Sequence, residues 1–362
     1  MYIKSLKLQN FRNYADESFA FDPAVNLICG ENGQGKTNLL EAAAACSTMR
    51  LFRTAQKKEG LRFGENHAFI FADFLAQERD ISLELRFSRT KAMEIYKNGV
   101  RQKRQSDAQG LLKTVLFCPE DLMLVRAGAA ARRRFLDTAL CQMRPNYARY
   151  LEEYNRLHEH KTRILRDSEE KPSLLSMWED FSLRMAHIGA QIIRYRAYYC
   201  RKLLKAAAAV YADIAPHEVL SGVYKTVSSV TDPFADARTI EKQLIDHVFS
   251  HKTAEIAAKS CLSGPHKDDL ELLLDGRSAA SFGSQGQVRT CTLSLKLAER
   301  ELFFDEDGEY PVLLLDDVLS ELDRRRQDFV LNRISAGQVM ITCCEDGISE
   351  KLRAGAVFHI QN

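Results

Sequence analysis

The spacing of apolar and polar positions changes several times along the chain, and each change marks an element. Apolar runs at residues 2 to 8 and 25 to 29 predict strands, and the glycine-rich turn after the second predicts a helix reaching about Met49. Alternation at 68 to 75, 81 to 87 and 93 to 104 predicts an antiparallel sheet, the last segment folded at Asn98-Gly99. Leu116-Phe117 leads into Pro119. From about residue 121 the period becomes helical: Tyr147, Leu151, Tyr154, Leu157, Lys161, Ile164 and Leu165 fall on one helix face. Pro172 breaks the chain, and Leu174 to Ile214 predicts a longer helix. Strand spacing returns near Val219 to Val230, residues 236 to 260 read as helical, and apolar strands are predicted at Pro311 to Leu315 and Gly337 to Ile341. The pattern predicts an α/β protein: a mixed sheet with flanking helices and an antiparallel β-subdomain, with an α-helical subdomain inserted. Its expected divisions are 1–120, 121–217 and 218–362.

The first strand-turn-helix carries candidate chemistry. Gly30-Glu31-Asn32-Gly33-Gln34-Gly35-Lys36-Thr37, followed by Asn38, has the spacing of a phosphate loop. Glycines let successive backbone N–H groups turn inward on a phosphate, and the helix start adds its positive dipole end. Lys36 then reaches the terminal phosphates, and Thr37 supplies a hydroxyl to Mg²⁺. The apolar strand ending in Asp316-Asp317 supplies the complement. Asp316 is expected to hold the metal, and Asp317 to polarise the attacking water.

Two further segments complete the pattern. Phe282-Gly283-Ser284-Gln285-Gly286-Gln287 precedes a helix with Val288, Cys291, Leu295, Ala298 and Leu302 on one face. A helix start at Ser284 suits a terminal phosphate. Ser320-Glu321-Leu322-Asp323 directly follows the acidic pair.

In this order the four segments resemble those of ATP-binding-cassette ATPases. The resemblance implies ATP sandwiched between the phosphate loop of one copy and Ser284, Gln285, Gly286 and Gln287 of another, with Asp323 on the loop that crosses between sites. Transport members carry Glu where this chain has Asp317, so slow turnover is expected. They also place a sensing His where Thr342-Cys343-Cys344 stands; either Thr342 substitutes or sensing lies elsewhere. Gln56 and Gln77 are the guesses for a metal-reporting glutamine, and Arg12 and Arg53 are weaker nucleotide contacts.

Longer stretches narrow the resemblance. Lys7 to Tyr14, Gly33 to Ala42, Pro119-Glu120-Asp121-Leu122, Arg133-Arg134-Phe135-Leu136-Asp137, Gly264 to Leu270 and Leu315 to Asp323 resemble the RecF family of bacterial recombinational repair. These proteins are similar to the heads of structural-maintenance-of-chromosomes proteins without the long coiled coil. The resemblance implies loading of a recombinase at single-strand gaps through the mediator RecR, displacement of single-strand-binding protein, and support of the SOS response.

Composition agrees. The 362 residues are 45% hydrophobic and 28% charged, enough for a sizeable core. No apolar run approaches a membrane span, and nine cysteines without C-x-x-C spacing suit reduced thiols in a cytoplasm. Net charge is only +2, but residues 121–214 hold seventeen basic against eleven acidic side chains, so nucleic-acid phosphates are expected there. Arg132, Arg133, Arg134, Arg184, Arg194, Arg196, Arg201, Lys202 and Lys205 are the candidate DNA contacts. A transport ATPase subunit would share the four segments but need a membrane partner. A DNA scaffold that had lost hydrolysis would have little use for both Asp316 and Asp317.

Overall fold

The computed structural model describes residues 1–54, 56–343 and 355–361. In chain order the strands are β1 (Tyr2–Phe11), β2 (Tyr14–Ala20) and β3 (Val25–Cys29), followed by helix α1 (Lys36–Thr48). Next come β4 (His67–Ala76), β5 (Arg79–Ser88), β6 (Glu94–Lys97), β7 (Val100–Arg101) and β8 (Thr114–Phe117). Helices α2 (Ala129–Met143), α3 (Pro145–Asp167) and α4 (Trp178–Ile214) follow, then β9 (Leu220–Lys225), α5 (Ala237–Ser250) and α6 (Lys252–Ala258). The chain closes with β10 (Asp269–Leu274), β11 (Arg277–Ser278), α7 (Ala279–Phe282), α8 (Gln285–Asp307), β12 (Val312–Leu315), α9 (Arg324–Arg333), β13 (Val339–Cys343) and β14 (Ala356–His359).

Three sheets result: an antiparallel one in the order β2-β1-β4-β5-β6-β7, a parallel one in the order β14-β3-β13-β12-β8, and a small one in the order β11-β10-β9. The inner strands β3, β13 and β12 of the parallel sheet are buried on both faces, which is why they are mostly apolar rather than alternating. Leu313, Leu315, Val339 and Ile341 face a core shared with α2, α3, α4 and α8. Their neighbours Val312, Leu314 and Met340 face a second core with α1 and the antiparallel sheet. A one-residue slip would exchange the two sets, so this sheet fixes the register of everything mounted on its carboxyl end.

Several boundaries differ from the sequence expectation. The long helix begins at Trp178, because Pro172–Met177 closes into a 3-10 turn with Pro172 at its first position. The 236 to 260 region is two helices, capped at the start by Asp236 and broken at His251. The expected strand at 219 to 230 holds β pairing only over Leu220–Lys225, and 93 to 104 divides at Asn98-Gly99, both with positive φ. Cys344 lies outside the described residues.

Candidate functional site

The phosphate loop spans from the end of β3 to the start of α1. Gly30, Gly33 and Gly35 have φ of 155°, 87° and 111°. At Gly35 a side chain would be strained by that φ and would also collide with the Asn13 amide. The loop is braced from outside. Asn13 donates to Gln34 O at 2.9 Å, Tyr14 Oη donates to Gly35 O at 3.0 Å, and Asn38 Nδ2 donates to Asn13 Oδ1 at 2.7 Å. Lys36 Nζ donates to Gly30 O at 2.6 Å and Glu31 O at 3.1 Å, so the ammonium already sits inside the curl.

The acidic pair meets this loop where β12 ends. Thr37 Oγ1 donates to Asp316 Oδ1 at 3.0 Å, and Thr342 Oγ1 donates to the same oxygen at 3.1 Å. Thr342 Oγ1 in turn accepts from the Asp317 backbone N–H at 2.8 Å. That contact holds Asp317 in a left-handed conformation, φ 49°, with its carboxylate lining the pocket. Burial raises the Asp316 pKa; the two threonine hydroxyls oppose the shift, and the nearby carboxylates Asp317 and Glu120 add to it. The Thr37 hydroxyl and the Asp316 carboxylate together form a pair of oxygen donors of the kind Mg²⁺ takes.

The pocket, about 140 Å³, is lined by Glu31, Asn32, Gly33, Gly35, Lys36, Thr37, Asn38, Arg53 and Asp317. Arg53 reaches Asn38 Oδ1 at 3.0 Å. Arg12 does not line the pocket: it makes a two-pronged pair with buried Glu41, at 2.7 and 3.1 Å, and steadies α1. Gln56 and Gln77 do not line it either; the Gln77 backbone instead donates to Glu309. The bracing role of Asn13 and Tyr14 escaped the sequence reading, although both stand inside the Lys7 to Tyr14 stretch that carried the family resemblance.

Ser284 is exposed and caps α8. Its hydroxyl accepts from Gln287 N at 3.2 Å, while Gln287 Oε1 accepts from Ser284 N at 2.8 Å, a reciprocal capping box. Gln285 is exposed, Gly286 and Gln287 are half-buried, and none of the four lines the phosphate pocket. Asp323 caps α9, and Arg326 links that cap to the Gly286 carbonyl, locking the two loops together on one surface.

The basic candidates scatter. Arg196 is only 3% exposed: it pairs with Asp137 at 2.9 Å and Asp268 at 3.2 Å and donates to Pro265 O. The expectation that it faces nucleic acid is therefore corrected; its charge ties α2 and α4 to the turn before β10. Arg132 pairs with Asp269 at 2.7 Å and Arg133 donates to Asp268 O at 2.6 Å, so both guanidiniums are held internally as well. Arg134, Arg184, Arg201, Lys202 and Lys205 are exposed, and Arg194 is half-buried. Arg184 lies near Glu153 and Asp180, and Arg201 stacks over Tyr198 and Phe234.

A strand-mounted phosphate loop, a threonine-tied acidic pair and a capped, exposed loop on α8 define the class: an ATPase head of the RecF and SMC type. Residues 2–361 match the model of the RecF/RecN/SMC N terminal domain. The DNA replication and repair protein RecF of Bacillus subtilis is 37% identical over 368 residues, covering 100% of this chain and 99% of that protein. Its counterpart in Acetivibrio thermocellus is 33% identical, covering 100% and 98%. A solved structure of the recombination mediator protein RecF-ATP superposes with a TM-score of 0.92 at 31% identity, over 99% of this chain and 95% of that one. The Smc head of Pyrococcus furiosus, at 15% identity and TM-score 0.53, shares the fold. The chain belongs to the RecF family of DNA replication and repair proteins. Among the described residues no helix is long and apolar enough to cross a membrane.

Proposed function

We propose that this chain is an ATP-dependent DNA-binding protein of recombinational repair and replication, working as a switch in the cytoplasm. ATP lies on residues Gly30 to Asn38 of one copy and is completed by Ser284, Gln285, Gly286 and Gln287 of a second. Two copies thereby close on DNA, and slow, DNA-stimulated hydrolysis opens them. The observation that carries this reading is the exposure of Ser284 at the start of a 23-residue helix whose first turn does not line its own phosphate pocket. A phosphate bound at that helix start would come from another molecule.

Within the site, Lys36 and the loop N–H groups hold the β and γ phosphates in place. Thr37 and Asp316 fit Mg²⁺, which would supply charge neutralisation when bound. Asp317, shorter than the usual Glu, orients the attacking water, while the Thr342 hydroxyl keeps both carboxylates in register. Asp323 lies on the surface where the second copy sits. Residues 121–217 form the DNA-contacting insert between two ATPase lobes, with Arg134, Arg184, Arg194, Arg201, Lys202 and Lys205 as its phosphate contacts. Single-strand gaps, a RecR mediator and the SOS response follow as the setting, on family resemblance.

Sedimentation with and without ATP and Mg²⁺ tests the core of this. The expected result is an ATP-dependent dimer that Ser284→Arg loses while still binding one nucleotide per chain, and that Lys36→Arg loses together with tight nucleotide binding. A Ser284→Arg protein that dimerises with ATP as the parent does would rule the shared site out.

A further inference from the structure

Residues 86–104 hold seven basic side chains against one acidic, the same net +6 that the 94 residues of 121–214 carry. Two of the seven are neutralised: Arg86 pairs with Glu84 at 2.6 Å and lies over Tyr96, and Arg101 pairs with Glu94 at 2.7 Å. Among the described residues no carboxylate pairs with Arg89, Lys91, Lys97, Lys103 or Arg104. Strand register brings most of these to one end of the antiparallel sheet. His67 stands opposite Ser88 and Arg86 opposite Glu94, and the chain leaving β7 bonds Gln102 N to Ile95 O, carrying Lys103 back toward the β5–β6 turn.

The same end holds a turn at Arg62-Phe63-Gly64-Glu65, closed by Glu65 N donating to Arg62 O at 3.0 Å. Gly64, at φ 87°, takes the position where such a turn needs a left-handed residue. Arg89 clamps it, its backbone N–H on Asn66 O and its guanidinium on Glu65 O. Phe63 projects from the tip fully exposed. One surface phenylalanine is ordinary. This one stands on a fixed turn between Arg62 and Arg89, beside cations that lack acidic partners.

We infer that this end of the antiparallel sheet is a platform for single-stranded nucleic acid: Phe63 stacks on an unpaired base, while Arg62, Arg89 and Lys91 take the flanking phosphates. The inference rests on the reading of the chain as DNA-binding and adds both a place and a strand preference to it. An aromatic face accepts any base, and cations on each side follow the backbone, so binding needs no particular sequence. A duplex keeps its bases stacked inside and offers Phe63 nothing but phosphate and sugar. The turn is also joined to the nucleotide side of the fold, because Arg62 N donates to Asn10 O and Arg12 N to Gly60 O, one residue from the Asn13 that braces the phosphate loop.

The test is fluorescence anisotropy of the full chain, with ATP present, on labelled oligo(dT) and on a blunt duplex of equal length. Phe63→Ala is expected to weaken oligo(dT) binding about tenfold and duplex binding less than twofold, with ATP-dependent dimerisation unchanged. Arg89→Glu combined with Lys91→Glu is expected to weaken both and to lower the salt dependence for the single strand by roughly 1.4, two contacts at about 0.7 each. If the parent binds and both variants bind oligo(dT) as it does, the platform is wrong and the DNA-binding reading stands. If the parent binds neither DNA, both fall together. Equal loss on duplex and single strand by Phe63→Ala would also overturn the stacking role.

Discussion

The helical insert and residues 86–104 of the antiparallel sheet carry the same net charge in sequence and use it in opposite ways. In the insert part of the charge turns inward: Arg196 is buried between Asp137 and Asp268, and Arg132 is paired with Asp269. In residues 86–104 the cations crowd a solvent-facing end of the antiparallel sheet, and among the described residues five of the seven lack a carboxylate partner. The difference follows from geometry. A helix of 37 residues packed on α3, α5 and α8 has inward positions that an arginine must occupy with partners or not at all. The last strands of an antiparallel sheet and its turns lie open to water, and cations there also discourage edge-to-edge pairing. Segment charge alone therefore does not locate a polyanion surface.

Arg196→Met breaks the comparison most severely if it is wrong. Removing the cation leaves Asp137 and Asp268 facing each other without their partner, and breaking such a buried pair costs about 3–5 kcal/mol. Urea unfolding is expected to show this loss, with DNA affinity of the still-folded fraction unchanged. A variant as stable as the parent but defective in DNA binding would instead put Arg196 on the nucleic-acid path.

Lys202→Ala combined with Lys205→Ala gives the opposite signature and a smaller effect. Both side chains are exposed and unpaired among the described residues, so stability is expected to move by less than about 0.5 kcal/mol. If the insert meets duplex phosphates, the slope of log affinity against log salt falls by roughly 1.8, two contacts at about 0.9 each. An unchanged slope would leave the antiparallel end as the principal phosphate surface and sharpen the contrast between the two regions.

What the sequence made legible was set by how local the physics is. The phosphate loop, Thr37 and the acidic pair were readable because backbone geometry demands glycines and a terminal strand position within a few residues of one another. The antiparallel sheet was readable from alternation, but β2 was not: its consecutive exposed residues Ala15 and Asp16, followed by half-buried Glu17, leave little period-two signal. Nor was β14, which lies far along the chain from the β3 it pairs with. The sequence offers Thr342 only as a hydroxyl that could substitute for the missing His. Its actual work, bonding both Asp316 and the Asp317 backbone, depends on β12 and β13 lying side by side, and no local pattern reports that. Arg196 went astray for the same reason, since its partners Asp137 and Asp268 are 59 and 72 residues away.

The finest test concerns the turn that closes over Arg196. His266 donates from Nε2 to Cys261 O at 3.0 Å and has Tyr154 Oη 2.7 Å from Nδ1, an arrangement that suits the neutral ring with the tyrosine donating. Burial lowers its pKa to about 3, with His158, Lys267 and Arg133 adding to the shift. The folded state thus refuses a proton that the unfolded chain accepts below about 6.5, and this residue's contribution to stability declines as pH falls from there toward 3. Asp268 runs the other way. Burial pushes it up to about 7 against the pull of Arg196, so the folded state holds its proton more tightly and stability declines as pH rises from about 4 to 7. In the parent the two slopes oppose each other between pH 4.5 and 6.5. His266→Asn removes only the first, so its urea midpoint is expected to gain on the parent's steadily as pH drops from 7 to 5. A constant gap between the two proteins across that range would mean His266 is not held neutral, and the turn before β10 would lose its role as the buried lock that keeps the insert's arginines facing inward.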